Sequence, residues 1–402
     1  MITFNYKARD TNTNKIIRST VQGNSEAAAA RVLMAQGIVP IEMTPVGEGG
    51  ILSGLRSRVP SKDVVIFTRQ LSTMLNAGLP LAQSLATVQE QTTNKALKTI
   101  TADVIGNING GSALSDALSK YPKVFNNVYI ALVRAGETSG TLDQSLARLA
   151  DQQEHDADQL SKIRGAMVYP AIVLFVIIAV VIFMLVTLIP QVSSLYEDLG
   201  KELPVTTAIL MAIVSFFANF WFLLVAGIGG LVFVVRRWLS TKSGRRTWDL
   251  FKLNMPLFNS LFRKLYMSRF SRTAEVLLRS GVSMMETLKI SADAVNNVEV
   301  REEILQAVGK VKNGKALSDA LSNQDYVLPF VPQMIRIGET SGSIDEMLAK
   351  VADYYDKEVD NAIAAISTLI EPILMVAMAG MIGFIVLAVL LPIYSLSDTT
   401  AI

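Results

Sequence analysis

The chain of 402 residues contains no cysteine and only one histidine, His155. Without cysteine it cannot form disulfides, iron–sulfur clusters, thiolate zinc sites or thiol nucleophiles. A single histidine cannot build a histidine metal cage and argues against a Ser–His catalytic relay. The net charge is only +2 and aromatic residues do not interleave with basic ones, so no nucleic-acid partner is expected. We therefore predict a protein that is not an enzyme and has no cofactor.

Charged residues are also scarce, at 18% of the chain against 50% hydrophobic residues. This balance predicts that part of the chain lies in lipid. Three segments are apolar over the roughly 20 residues that a membrane-spanning helix needs: 167–190, 208–235 and 367–392. The alternative is a set of buried core helices, but core helices of this length normally carry a polar stripe.

The basic residues in the flanks predict the orientation of these spans. Residues 236–264 hold eight basic side chains against one acid, Asp249, whereas residues 191–207 hold three acids against one lysine. The N-terminal region is therefore expected inside, residues 191–207 outside in a periplasmic loop, residues 236 to about 365 inside, and the C-terminus outside. Residues 1–10 lack the basic-then-apolar pattern of an export signal, so we expect a cytoplasmic N-terminus and a multi-pass protein of the bacterial inner membrane.

An internal duplication organises most of the chain. The segment Ala113–Leu118 recurs unchanged at Ala316–Leu321, and Arg134-Ala-Gly-Glu-Thr-Ser-Gly140 returns as Arg336-Ile-Gly-Glu-Thr-Ser-Gly342. Each copy is predicted to be a helical bundle that leads directly into a span. In the first copy, helices are predicted over 62–76, 81–91, 94–109, 113–120, 127–135 and 142–167.

The predicted fold class is mainly α: a polytopic membrane protein with two repeated cytoplasmic helical bundles, three transmembrane helices and a small N-terminal ββαβ domain. The expected segments are 1–43 (N-terminal α/β domain), 44–60 (linker), 61–166 (first cytoplasmic helical domain), 167–190 (first span), 191–207 (periplasmic loop), 208–235 (second span), 236–263 (basic cytoplasmic connector), 264–366 (second cytoplasmic helical domain), 367–392 (third span) and 393–402 (periplasmic tail). In the N-terminal domain, strands are predicted at Thr3–Ala8, Lys15–Gln22 and Val39–Met43, with a helix at Glu26–Gln36.

The two Gly-Glu-Thr-Ser-Gly segments are the sharpest local signal, and two interpretations stay open. Each could be a loop that docks a partner, or a turn in which glycine ends one helix and a hydroxyl residue begins the next. Turn chemistry explains the glycines and hydroxyls but does not require an acid. The partner-docking candidates are Gly136, Glu137, Thr138, Gly140, Gly338, Glu339, Thr340 and Gly342.

Two further groups are weaker candidates. The acids Asp151, Glu154 and Asp158 could bind a divalent cation or a basic partner, although such a run is more often a solvated helix face. A second group marks the predicted starts of two spans, where an acid is costly unless it is paired or near the headgroups. These membrane-interface candidates are Tyr169, Pro170, Glu371 and Pro372.

The chain resembles the type II secretion F family, which includes the inner-membrane platform proteins of type IV pili. The residues that carry the resemblance are the Phe67-Thr-Arg69 and Phe270-Ser-Arg272 starts, Ala77-Gly-Leu-Pro-Leu81, both Gly-Glu-Thr-Ser-Gly segments, Lys162-Ile-x-x-Ala-Met-x-Tyr-Pro170 with Pro190, and Glu371-Pro372 with Pro392. The resemblance covers about residues 61–395. The second copy departs from the pattern at Ser280, Val282 and Ser283.

The resemblance implies a platform that couples a cytoplasmic hexameric assembly ATPase to the extraction of pilin or pseudopilin subunits from the bilayer. It also implies other inner-membrane assembly proteins as partners and a homo-oligomer. The alternative is another non-catalytic membrane scaffold or a transporter component, but a transporter needs polar groups near mid-membrane, and only Glu371 lies at the edge of a span. A membrane ATPase needs a P-loop; Gly309–Lys315 has that spacing, but Ala316 follows and a helical pattern precedes, which predicts an inter-helix turn.

Overall fold

The computed structural model describes residues 2–10, 16–23, 30, 33–34, 38–45, 59–198, 220, 222–223, 226–227, 229–256 and 258–398. These residues divide into two compact units. One comprises Met1–Pro60 with Thr93–Thr99, and the other comprises Ser61–Thr92 with Ile100–Ile402.

The first unit contains a three-stranded antiparallel sheet in the order β2-β1-β3, with strands β1 (Ile2–Asp10), β2 (Ile16–Gly23) and β3 (Ile38–Pro45). The central strand β1 shifts its register with β3 between Lys7 and Ala8. Of the predicted helix Glu26–Gln36, residues 30, 33 and 34 are described and are helical; the rest lies outside the described residues, as does most of the predicted linker 44–60.

The second unit is helical and contains the second copy of the duplication and all of the first copy except Thr93–Thr99. The first copy consists of α1 (Ser61–Asn76), α2 (Leu81–Gln91), α3 (Lys95–Asn109), α4 (Leu114–Ser119), α5 (Asn127–Ser139) and α6 (Leu142–Asp198). After helical residues 229–239 and α7 (Lys242–Asn254), the second copy repeats the order with α8 (Asn259–Arg279), α9 (Met284–Ala294), α10 (Val298–Lys312), α11 (Leu317–Leu321), α12 (Phe330–Ser341) and α13 (Ile344–Asp398). The prediction of two repeated helical copies is confirmed.

Equivalent aromatic residues anchor the cores of the two copies. Phe67 of α1 and Phe270 of α8 are both buried. In the first copy, Phe125 lies edge-on to the buried Tyr129, with ring centroids 4.8 Å apart. The hydroxyl of Thr68 lies 3.3 Å from the Tyr129 hydroxyl, so the buried phenol keeps a hydrogen-bond partner. Burial raises the pKa of Tyr129 and keeps the phenol protonated.

Two very long helices connect the bundles to the predicted membrane segments. Helix α6 has 57 residues and α13 has 55, and each is long and apolar enough over part of its length to cross a bilayer. Apolar side chains in these parts are largely exposed, with Phe175, Phe183 and Val376 at 72%, 68% and 74%. Apolar surface on this scale is expected to face lipid rather than water.

The helices also extend beyond the predicted spans. Helix α6 passes through Pro190 to Asp198, into the predicted loop 191–207, and α13 continues to Asp398, into the predicted tail 393–402. Interior proline weakens a helix without having to end it when neighbouring groups compensate. Most of the predicted span 208–235 lies outside the described residues, but residues 229–235 are helical and expose Leu231 and Phe233.

Candidate functional site

The Gly-Glu-Thr-Ser-Gly segments form the last turns of α5 and α12. The interpretation of each segment as a loop is therefore wrong. Only the second glycine of each segment is left-handed, with φ of 72° at Gly140 and 73° at Gly342. The first glycine is helical and packs tightly. A Cβ at Gly136 would lie 2.7 Å from Ser145 Oγ, and one at Gly338 would lie 2.8 Å from Ile344 Cα. Gly136 and Gly338 therefore permit α5 and α12 to approach the helices that follow them.

Glu137 and Glu339 cap short helices within their own copies. The Glu137 carboxylate accepts hydrogen bonds from the backbone N–H of Leu114 and, at 3.0 Å, of Ser115. Glu339 accepts from Leu317 N at 2.6 Å and from Ser318 Oγ at 2.6 Å. Each acid therefore satisfies first-turn amides that α4 or α11 would otherwise leave unpaired, and its negative charge favours that helix end.

The same pairs of helices share a second link. Arg134 lies 3.2 Å from Asp116 in the first copy, and Arg336 lies 2.7 Å from Asp319 in the second. The hydroxyls of Thr138 and Thr340 donate to the carbonyls of these two arginines. Within each copy, the Ala-Leu-Ser-Asp-Ala-Leu segment thus contacts the Gly-Glu-Thr-Ser-Gly segment. These contacts give Glu137 and Glu339 a role within the fold. Partner docking by these residues stays a prediction.

The acidic run on α6 pairs with Arg69 of α1. The guanidinium contacts Asp151 at 2.5 Å and Glu154 at 2.6 Å. The hydrogen bond from Arg69 lowers the pKa of Glu154 below its ordinary value. Asp158 is exposed on the same helix. Among the described residues no group of three or more His, Cys, Asp or Glu is placed to hold a metal ion. Arg69 is the cation that contacts Asp151 and Glu154.

The second copy repeats this ion-pair network. Arg272 occupies the place of Arg69 and contacts Asp353 at 2.5 Å and Asp356 at 2.8 Å. In the sequence the Phe-x-Arg starts mark the repeat, and the pairing of their arginines with acids was not predicted. A signal was present, because the arginine-to-acid spacings of 82 and 85 residues in the first copy become 81 and 84 in the second.

Polar contacts also join the two copies along α6. His155 is half-buried, and its Nε2 lies 3.1 Å from Asp356 Oδ2. Gln159 donates to Asp356 Oδ1 at 2.7 Å, and Lys162 pairs with Asp360 at 2.7 Å. The part of α6 that precedes its apolar segment is therefore fixed to the second copy by its polar side chains.

The membrane-interface candidates lie where the long helices begin to expose apolar surface. Tyr169 and Pro170 are within α6, and Tyr169 is 59% exposed. Glu371 and Pro372 are within α13 and both are exposed. The structure thus places these residues along two continuous helices, and a functional role for Glu371 stays a prediction.

Comparison with known proteins places these features in a family. The profile for "Type II secretion system (T2SS), protein F" matches twice, over residues 67–190 and 270–392, and the profile for the N-terminal domain of this protein matches residues 1–44. The chain belongs to the type II secretion system protein F family. The paired matches begin at Phe67 and Phe270 and end at Pro190 and Pro392, which confirms the duplication.

Members of the protein F family match along nearly the whole chain. The type IV pilus assembly protein PilC of Thermus thermophilus is 38% identical over 410 residues, covering 100% of both chains. The type II secretion system protein F of Aeromonas hydrophila is 33% identical over 384 residues, covering 94% of this chain and 98% of its own. The PilC protein of Pseudomonas aeruginosa is 32% identical over 367 residues, covering 91% and 98%.

Proposed function

We propose that this chain is the inner-membrane platform of a type IV pilus or type II secretion machine. In this role it couples a cytoplasmic hexameric assembly ATPase to the extraction of pilin or pseudopilin subunits from the bilayer. It acts as a homo-oligomer beside other inner-membrane assembly proteins and catalyses no reaction itself. Support comes from its relatives, which are named as pilus assembly and type II secretion proteins.

The observation that carries the proposal is the continuity of α6 and α13. Each helix begins inside a cytoplasmic bundle and continues through a segment whose apolar side chains are exposed, as expected for a lipid-facing helix. At about 1.5 Å per residue, α6 is about 85 Å long. Because no loop interrupts either helix, a displacement of the bundle is transmitted directly to the span.

The proposed topology has three spans, with residues 1–166 and 236–366 in the cytoplasm. Its support is the basic cluster at 236–264 and the acidic residues after the first span. Reporter fusions at Gly200 and Val300 should report opposite compartments. Reporters in the same compartment would contradict the topology.

A flexible insertion in α6 tests the mechanical coupling. A seven-residue Gly-Ser insertion between Arg164 and Gly165 breaks the helix just beyond the Lys162–Asp360 pair. The control is an alanine-rich insertion of equal length, which adds about two turns and so nearly preserves the helix phase. We expect fibre assembly or secretion to be lost only with the Gly-Ser insertion, at equal membrane levels. Normal assembly by both variants would contradict the rigid-coupling proposal.

The absence of catalysis needs its own measurement. In the structure Gly309 lies within α10, and Gly314 adopts a φ of 87° in the turn that follows. The segment with P-loop spacing is therefore a helix end and not a strand-to-helix loop. The ATP hydrolysis rate of the purified protein should be no higher than that of a Gly309→Ala variant. ATP hydrolysis that is lost in this variant would contradict the proposal.

A further inference from the structure

Helix α7 presents two aromatic side chains on the face that the protein leaves uncovered. Trp248 and Phe251 are 42% and 51% exposed, and their rings stack with centroids 5.6 Å apart. Leu253 is fully buried on the other side of the helix. At about 100° per residue, Trp248 and Phe251 both lie roughly opposite Leu253. The helix thus has one face packed on the protein and one apolar face directed away from it.

The packed face holds α7 in a fixed position on the second copy. Asp249 is buried, and its Oδ2 accepts a hydrogen bond from Val298 N at 3.1 Å, at the start of α10. Arg246 pairs with Glu299 at 2.5 Å. These contacts fix the direction in which Trp248 and Phe251 point.

Both ends of α7 connect to membrane segments. At its start, only Ser240 and Thr241 separate it from helical residues 229–239, which expose apolar side chains. This corner is tight, because a Cβ at Gly244 would collide with the carbonyl oxygen of Trp238. The first end of α7 therefore lies beside the cytoplasmic end of that helix.

The other end of α7 leads to a cluster beside the start of the third predicted span. Phe258, just after α7, packs against an apolar cluster that contains Leu261 and Ile366, and Ile370 packs against the same cluster. Ile370 directly precedes Glu371 and Pro372. Each end of α7 therefore lies beside a predicted span, which supports an orientation along the bilayer surface.

Basic side chains surround the aromatic face. Lys252 pairs with the buried Asp249 at 2.8 Å and lies 6.0 Å from the centroid of the Trp248 ring. Arg245 donates a hydrogen bond to the neutral Asn296 side chain. Within the part of the chain that the structure describes, Arg236, Arg237 and Lys242 form no ion pair with an acid. Aromatic side chains with flanking lysine and arginine match the boundary between anionic headgroups and acyl chains.

We propose that α7 is an interfacial anchor whose Trp248 and Phe251 insert into the cytoplasmic leaflet between anionic phospholipid headgroups. The inference deepens the proposed platform function and rests on its membrane topology. An anchor of this kind holds the second cytoplasmic copy against the bilayer surface.

Fluorescence of Trp248 in lipid nanodiscs tests the anchor. The chain has three tryptophans, and replacing Trp221→Phe and Trp238→Phe leaves Trp248 as the only one. This full-length variant is placed in nanodiscs of phosphatidylcholine, with or without phosphatidylglycerol, whose acyl chains are brominated close to the headgroup. We expect brominated lipid to quench Trp248 and its emission to be blue-shifted. Quenching should increase with phosphatidylglycerol, and Lys242→Gln with Arg245→Gln should remove that increase.

The control places a tryptophan of similar exposure far from α7. Ile66 on α1 is 46% exposed, so Ile66→Trp in a chain with all three tryptophans changed to phenylalanine reports a water-facing site. Quenching of Trp248 no greater than that of this control would overturn the proposal. So would shielding of Trp248 that occurs only when several copies share one disc, because a second copy would then cover the face. The measurement needs no ATPase or pilin, so its failure leaves the platform proposal to be judged by fibre assembly.

Discussion

His155 of the first copy and Asp356 of the second lie 3.1 Å apart and join the two long helices of the molecule. The hydrogen bond to Asp356 raises the pKa of His155 above its ordinary value, although burial acts in the opposite direction. Burial by itself would raise the pKa of Asp356, but hydrogen bonds from His155, Ser268 and Arg272 outweigh it and lower the pKa to about 2. The contact therefore favours a charged pair between the copies.

This pair predicts a pH dependence of stability. Because the pKa of His155 is raised in the folded state, its contribution is complete below the ordinary value of about 6.5 and is lost as pH rises through the higher folded value. The imidazole is 37% exposed, so we expect a loss of less than about 1 kcal/mol. In detergent, the unfolding temperature of His155→Gln should depend less on pH above about pH 6 than that of the unsubstituted protein. An unchanged pH profile in this variant would show that the pair is not coupled to folding.

The two equivalent arginines are expected to differ in their contribution to stability. Arg272 and its partner Asp356 are 22% and 13% exposed, whereas Arg69 and Glu154 are 36% and 43% exposed. Arg272→Met should cost about 2 to 3 kcal/mol, because it leaves the mostly buried Asp356 carboxylate with His155 as its one remaining charged partner among the described residues. Arg69→Met should cost about 1 kcal/mol or less. Unfolding of both variants under the same conditions gives the comparison, and equal losses would contradict the argument from burial.

Charge-neutral variants of the capping acids separate capping from docking. Glu339→Ala should cost about 1 to 2 kcal/mol, because it leaves first-turn amides of α11 unpaired. Glu339→Gln retains an acceptor oxygen, so it should lose less stability while losing all of the charge. If Glu339 docks the assembly ATPase, Glu339→Gln should reduce co-purification with that ATPase at normal membrane levels.

The matched control for this experiment is Glu346→Gln, which removes an exposed acid from the first turn of α13. Glu137→Gln provides the same test in the first copy. Unchanged ATPase binding and fibre assembly in both capping variants would leave Glu137 and Glu339 with a structural role alone.

Replacing two glycines of the second copy by alanine should change the stability of the protein in different ways. Gly338→Ala places a Cβ 2.8 Å from Ile344 Cα, so we expect a loss of about 1 to 3 kcal/mol. Gly309→Ala meets no atom within 4 Å and lies in helix α10, so it should be neutral or stabilising by up to about 1 kcal/mol. Unfolding midpoints of the two variants check this difference. Equal midpoints would show that α12 and α13 can separate without cost.

The amino-acid sequence alone was enough to predict the helical copies and the apolar segments of α6 and α13. These features depend on local chemistry: apolar periodicity, glycine at helix ends and the absence of charge over lengths that match a bilayer. The predicted helix 127–135 was too short because the first glycine of Gly136–Gly140 was taken as a helix end. A helical glycine that permits close packing has the same sequence appearance as one that ends a helix.

Only the tertiary structure decided what the charged residues do. Glu137 caps a helix that begins 23 residues earlier, Arg69 pairs with acids more than 80 residues away, and His155 reaches Asp356 across the two copies. Such contacts depend on how the helices pack, and local periodicity carries no information about the partner of an individual charge. The sequence by itself thus determined the helical elements and the apolar segments of α6 and α13, while packing determined which acids meet which cations and amides.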